Sequence, residues 1–282
     1  MASDPIAPLR VNHHKQFELR DHSTDATLGW HKESAARELG RVKLRLDVLQ
    51  QRLFAEKQRS VVLVLQAMDA AGKDGTIKHV MSGLNPRGCE VHSFKAPSSE
   101  ELDHDFLWRT SARLPRRGHI GIFNRSYYEE MLVVRVHPEI LGRQQLPDER
   151  VTPRIWRERF EDVVSYERYL SRQGVVIRKF FLYVSKEEQR RRFLERLADP
   201  DKHWKFNPGD IDERAHWDDY MAAYEAALGK CSTEVAPWYV VPANHKWYAR
   251  YAVTSLVLDH LTEMDPQWPA ATFDVAEQQA RL

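Results

Sequence analysis

Residues 61–77 read V-V-L-V-L-Q-A-M-D-A-A-G-K-D-G-T-I: an apolar run, a loop of small residues and the start of a helical pattern. Val61 to Leu65 is short and rich in β-branched side chains, so it reads as a strand buried on both faces, as in a parallel sheet. The loop from Ala67 to Ile77 then opens a helix. Backbone N–H groups at a helix start, with the positive end of the helix dipole, suit phosphate oxygens, and Lys73 adds a mobile positive charge. This assigns Ala70, Ala71, Gly72, Asp74, Gly75 and Thr76 to phosphate or nucleotide binding and Lys73 to catalysis. The strict pattern G-x-x-x-x-G-K-[ST] fails at both ends, because Ala67 stands for the first glycine and Asp74 for the hydroxyl residue. An isolated Gly-Lys pair is an incidental helix-start turn; here the strand before it, the helix after it and a second polar loop carry the phosphate reading. Asp69 would repel phosphates unless a cation lay between them, so a magnesium ion, or a proton-accepting role, accounts for it.

The second loop follows another apolar run, His119 to Phe123, and reads Asn124-Arg125-Ser126-Tyr127-Tyr128-Glu129-Glu130. Phosphate-loop enzymes usually carry a magnesium-organising aspartate at such a strand end, and Asn124 is a neutral ligand at best. Glu129, about one helical turn on, is a candidate to supply the missing charge and, with Asp69, to bind the metal. The competing reading is that Glu129 and Glu130 are solvated first-turn acids favoured by the helix dipole. Arg125, at the carboxyl end of a central strand, faces the crevice where open α/β sheets bind ligands, and its fork suits phosphate oxygens.

A basic stretch runs from Arg172 to Lys205, with Arg190-Arg191-Arg192 and Arg196 at its centre. Ser185 and Glu188 have the spacing of a capping box, which starts a helix at Lys186 and puts Arg192 and Arg196 on one face, with Arg191 turned away by about 100°. These arginines are either a solvated face or a lid that clamps phosphates. Lys179, Arg191, Arg192 and Arg196 join the phosphate-binding or nucleotide-binding set with Asn124.

Further strands are expected at Glu90 to Phe94, Val175 to Val184 and Trp238 to Val241. Helices are expected at Gly75 to Leu84, Glu100 to Leu114, Tyr127 to Val136, Thr152 to Ser171, Lys186 to Leu197, Ile211 to Leu228 and His245 to Leu261. An earlier helix over residues 31–57 carries Leu39, Val42, Leu46, Leu49 and Leu53 on one face, either packed on its own core or forming a dimer seam. Alternating strands and helices imply right-handed crossovers and a parallel sheet covered on both faces, an α/β three-layer sandwich. Residues 1–30 read as an arm over the surface, 31–265 as one domain with a lid at about 185–215, and 266–282 as a tail.

The composition narrows the function. A formal net charge of +1 excludes a generally basic nucleic-acid-binding surface, so anion binding must come from local clusters. Cys89 and Cys231 stand far apart without metal-ligand spacing, against a disulfide scaffold or zinc site. No stretch approaches about 18 consecutive apolar residues, and the start of the chain lacks a leader pattern, so the expectation is a cytoplasmic protein with no membrane partner.

The loop A-x-D-x-A-G-K-D-G-x-I, the segment Phe123 to Tyr128, the run from Glu187 through Arg196, Asp199-Pro200, Trp204-Lys205 and the segment Ala236 to Ala243 together resemble the second family of polyphosphate kinases, over residues 35–262. The resemblance implies a thymidylate-kinase-like P-loop fold with a helical lid, dependence on magnesium or manganese, and phosphoryl transfer between inorganic polyphosphate and AMP, ADP or ATP. By position it gives functional roles to Asp69, Lys73, Arg125, Arg191, Arg192 and Arg196. Asn124 with Glu129 resembles the class that accepts both AMP and ADP. A homo-oligomer, dimer or tetramer, is expected. An ATP-dependent nucleotide or nucleoside kinase and a non-catalytic nucleotide-binding module are the alternatives.

Overall fold

A computed structural model describes residues 7–12 and 16–282. Five strands, β1 (Ser60–Gln66), β2 (Cys89–Ser93), β3 (Ile120–Asn124), β4 (Val175–Tyr183) and β5 (Trp238–Pro242), form one sheet in the order β2-β3-β1-β4-β5. Every pairing is parallel, with Leu63 opposite Ile122 on one side and Arg178 on the other. The whole of β1 is buried, as a central strand covered on both faces must be.

Parallel strands require crossovers, and helices supply them. In chain order these are α1 (Lys32–Glu56), α2 (Lys73–Met81), α3 (Ser99–Leu102), α4 (Trp108–Ser111), α5 (Val133–Val136), α6 (Ile155–Arg172), α7 (Lys186–Leu197), α8 (Gly209–Glu213), α9 (Trp217–Cys231), α10 (Lys246–Met264) and α11 (Val275–Ala280). One layer groups α1, α2 and α10; the other groups α5, α6 and α9. The apolar stripe of α1 belongs to the first layer, since Val42, Leu46 and Leu53 are buried in the chain's own core. The connection leaving β1 runs to β2 at one edge, whereas the one leaving β3 passes β1 to reach β4. The carboxyl ends of β1 and β3 therefore border the crevice in which α/β sheets bind ligands.

Three expected helices are broken. The span 100–114 divides into α3 and α4, where the Asp105 side chain accepts from the Leu107 amide (2.9 Å) and draws the backbone out of the helix. The span 127–136 is a 3-10 turn followed by α5, with Leu132 outside helical geometry. The span 211–228 is α8, a 3-10 turn at Arg214–His216, and α9. The capping box at Ser185 is half formed: its hydroxyl accepts from the Glu188 amide (3.1 Å), but the Glu188 carboxylate turns to Arg191 and Arg192 instead.

Of the expected arm, residues 1–6 and 13–15 lie outside the described residues. Arg10 forms an antiparallel bridge to Tyr239, the Val11 amide donates to the Trp238 carbonyl (2.9 Å), and Leu9, Val11 and Leu19 are buried. These contacts cover the open edge of β5, which would otherwise present unpaired backbone groups. No helix among the described residues is long and apolar enough to cross a membrane.

Candidate active site

The loop leaving β1 is held in a backbone shape that side chains rarely adopt. Ala70 has φ 60° and Gly72 has φ 105°, and α2 starts at the next residue, Lys73. A non-glycine residue in this region costs roughly 1–3 kcal/mol, a strain that recurs at ligand sites. The first-turn amides of α2 have no acceptors inside their own helix, the kind of donor set that suits an anion. Lys73 lies across the loop, its Nζ donating to the Ala67 carbonyl (2.9 Å). Burial, then the neighbouring Arg125 charge, pull the Lys73 pKa below its ordinary value, against the carboxylates of Asp69, Glu129 and Asp74.

Arg125 leaves the end of β3 with φ 65° and its amide bonded to the Leu65 carbonyl (3.0 Å). Its guanidinium joins the two acids singled out in the sequence: Nη2 donates to Asp69 (3.0 Å) and Nη1 to Glu129 (3.1 Å). The Glu129 charge, with Asp69 behind it, holds Arg125 more firmly protonated than usual. Glu129 is therefore not a loosely solvated helix-end acid. The Gln66 amide meets its partners best with the nitrogen assigned toward Glu129 Oε1 (2.9 Å) and the oxygen accepting from the Ser126 N–H (3.1 Å). Asn124 donates to Asp74 (3.0 Å), tying the end of β3 to the first turn of α2. Gly75 abuts α10, where a Cβ would stand 3.1 Å from Arg250 Nη2.

Four expected phosphate ligands are buried or engaged with other groups of the protein. Lys179 is fully buried at the middle of β4, opposite Val64, under α6 rather than at the strand's carboxyl end. It donates to Glu167 (2.5 Å), the Tyr128 hydroxyl (2.9 Å) and the Cys231 carbonyl (2.7 Å). Burial pushes the Lys179 pKa down and that of Glu167 up. Thr76 is buried on α2, its amide already bonded to the Gly72 carbonyl (3.0 Å). Arg191 points to solvent on the outer face of α7, paired with Glu188 (2.6 Å) and Glu195. Arg192 is buried against the phosphate loop and bonded to its carbonyls. Arg196 lies 3.9 Å from Asp210 and donates to the Lys205 carbonyl (3.4 Å).

Sequence reasoning missed Gln66, Asp210 and Gln189. Gln66 is the polar residue ending the apolar run of β1, a signal of a strand's functional end. Burial first, then the Asp69 charge, push the Asp210 carboxyl above its usual range, which puts this acid in the same electrostatic environment. Gln189 precedes Arg192 by three residues and donates to the Asp69 carbonyl (2.9 Å). No cluster of three or more His, Cys, Asp or Glu residues among the described residues could hold a metal by itself. Asp69 and Glu129 are two carboxylates that could join a cation taking most of its oxygens from substrate, the habit of magnesium at phosphates, and each is here paired with Arg125.

Residues 29–269 match the family described as Polyphosphate kinase 2 (PPK2). An ADP-polyphosphate phosphotransferase of Rhodopseudomonas palustris is 51% identical over 229 residues, covering 81% of this chain and 79% of its own. An AMP/ADP-polyphosphate phosphotransferase of Meiothermus ruber is 44% identical over 262 residues, covering 92% and 94%. The crystal structure of a polyphosphate kinase 2 from Arthrobacter aurescens superimposes with a TM-score of 0.91 at 43% identity, covering 99% of this chain and 96% of that one. With the parallel sheet, the phosphate loop and the Asp69–Arg125–Glu129 cluster, these matches identify the chain as a member of the polyphosphate kinase 2 family.

Proposed function

We propose that this chain transfers phosphoryl groups from inorganic polyphosphate to AMP and ADP, giving ADP and ATP, in a reversible reaction assisted by Mg2+ or Mn2+. The observation that carries the reading is Arg125, a cation held between Asp69 and Glu129 at the mouth of a phosphate loop. In this reading the amides of the loop and first turn of α2 bind phosphate oxygens, and Lys73 follows the charge that develops on the transferring group. Arg125 orients the acceptor phosphate with its planar fork. Asp69 and Glu129 hold the divalent cation, which when bound neutralises charge on the phosphate oxygens. The alternative role for Asp69 is to accept a proton from the acceptor.

Acceptor scope rests on Asn124 and Glu129. Asn124 is engaged with Asp74 and the nearby negative charge belongs to Glu129, held by Arg125 and Gln66. The names of the relatives from R. palustris and M. ruber support ADP, and AMP with ADP, as acceptors. Within the segment 185–215, the stretch after α7 is proposed as the lid, closing over Arg196 at the end of that helix. A homo-oligomer is part of the proposal, supported by Leu44 and Val48, exposed one turn apart on α1.

The test supplies ADP with polyphosphate as the sole donor and follows ATP. The wild type forms ATP with a divalent cation present and stops when the cation is chelated, and Asp69→Asn needs far more cation. ATP formation undiminished in excess chelator would remove the metal role from Asp69 and Glu129.

A further inference from the structure

The buried face of α7 is hydrogen-bonded to three successive carbonyls of the phosphate loop. Gln189 Nε2 donates to the Asp69 carbonyl (2.9 Å), and Arg192 Nη1 donates to those of Ala70 (3.0 Å) and Ala71 (2.8 Å). Both side chains are almost wholly buried, at 1% and 2% exposure, so the contacts are fixed by packing. The remaining donors of Arg192 are also committed: Nη2 to the carbonyls of Ala243 (2.5 Å) and Asn244 (3.0 Å), and Nε to Glu188 (2.7 Å). A guanidinium has five N–H donors, and these contacts use them all, which leaves none for a substrate phosphate. Gln189 is itself held from behind, its Oε1 accepting from Arg214 (2.9 Å).

We propose that Gln189 and Arg192 are positioning residues that shape the phosphate loop, and that α7 is its fixed buttress rather than the moving part of a lid. The inference rests on the reading of residues 67–77 as a phosphate cradle. Drawing the carbonyls of 69–71 toward α7 turns that edge of the peptide planes away from the crevice and offsets the strain at Ala70, φ 60°, and Gly72, φ 105°. Arg192 also ties the loop to the β5–α10 connection, so three segments share one guanidinium.

The two possible roles for Arg192 separate cleanly. A lysine in place of an arginine that touched phosphate would keep the charge and much of the binding. A lysine in place of a five-fold brace cannot reach the carbonyls together. Gln189 carries no charge, so its removal affects phosphate handling only through the loop.

The experiment compares wild type with Arg192→Lys and Gln189→Leu. It reads steady-state rates over a range of polyphosphate and salt concentrations, and amide hydrogen exchange at residues 69–76 in the folded, substrate-free protein. Both variants are expected to lose about tenfold or more in kcat/KM, the size of effect that follows loss of a charged or buried hydrogen bond. The salt slope should stay at the wild-type value, and exchange should accelerate at 69–76 while the core strands keep their protection. Near-wild-type kinetics and exchange in Gln189→Leu would overturn the proposal, as would an Arg192→Lys enzyme with unchanged exchange and only weakened polyphosphate binding. If Arg192→Lys does not fold, Gln189→Leu decides alone. Hydrogen exchange needs no substrate, so it tests the brace even if the wild type proves inactive with polyphosphate.

Discussion

Lys73 is the cation proposed for the phosphate cradle, and its buried environment gives it a recognisable titration. Lys73→Met should leave a folded protein and lower transfer on the order of 10²-fold or more, as loss of a preorganised transition-state contact does. Burial and the Arg125 charge lower the Lys73 pKa, so its proton leaves at a pH below the ordinary 10.5. Only the protonated form supplies charge, so kcat/KM should fall as pH rises through an alkaline limb centred below 10.5, and Lys73→Arg should move that limb upward. A limb that stays in place in Lys73→Arg assigns it to another group. Glu129 makes a second prediction at this scale. If its carboxylate serves the shorter acceptor, Glu129→Asn should depress the AMP reaction more than the ADP reaction, read as the ratio of initial rates at saturating polyphosphate and magnesium. A constant ratio with both rates intact reduces Glu129 to a partner of Arg125. Asp69, Arg125 and Glu129 were legible in the sequence because polar residues just past apolar strands are few. Arg192 was misplaced because a basic run at helical spacing looks alike whether it faces a polyanion or its own backbone.

Among the elements, β4 and α6 carry a buried ion pair that the sequence did not announce. A lysine in a β-branched and aromatic run reads as an interruption aimed at a ligand. Lys179 instead meets Glu167 under the loop that carries Arg125, and Tyr127 (2.8 Å) and Tyr128 (3.0 Å) donate to the same carboxylate. Lys179→Met leaves Glu167 buried without its cation and should destabilise the fold by about 3–5 kcal/mol in denaturant unfolding. Replacing both with apolar residues, Lys179→Met with Glu167→Leu, should recover much of that loss; a double variant no more stable than the single one would show that Tyr127 and Tyr128 need the carboxylate more than the pair does. Helix α7 makes the other element-scale prediction. Arg196 lies 3.9 Å from Asp210, whose carboxyl feels the Asp69 charge, while Arg191 is paired on the outer face. Arg196→Ala should therefore weaken use of long polyphosphate and flatten its salt dependence, as loss of a phosphate contact does, with Arg191→Ala near wild type. Equal effects from the two would make the whole run a solvated face.

Across the whole molecule, the five strands, their parallel sense and the α/β layering followed from the alternation of short apolar runs with helical periods. The order β2-β3-β1-β4-β5 did not, since register and neighbour choice depend on contacts between residues far apart in the chain. Helices 100–114, 127–136 and 211–228 were read as continuous because single breaking contacts, such as Asp105 to the Leu107 amide, carry no periodic signature. The fold brings the ends of β1 and β3 together so that one arginine bridges two acids across a phosphate loop, the crevice proposed to move phosphoryl groups from polyphosphate to both AMP and ADP. The most direct measurement is a time course of the purified protein with long-chain polyphosphate, magnesium and AMP, without added ATP, with the nucleotides separated at each point. ADP should appear first and ATP follow as ADP is consumed, with neither formed when polyphosphate is omitted. AMP that stays unchanged with polyphosphate but is phosphorylated once ATP is supplied would contradict the proposed transfer.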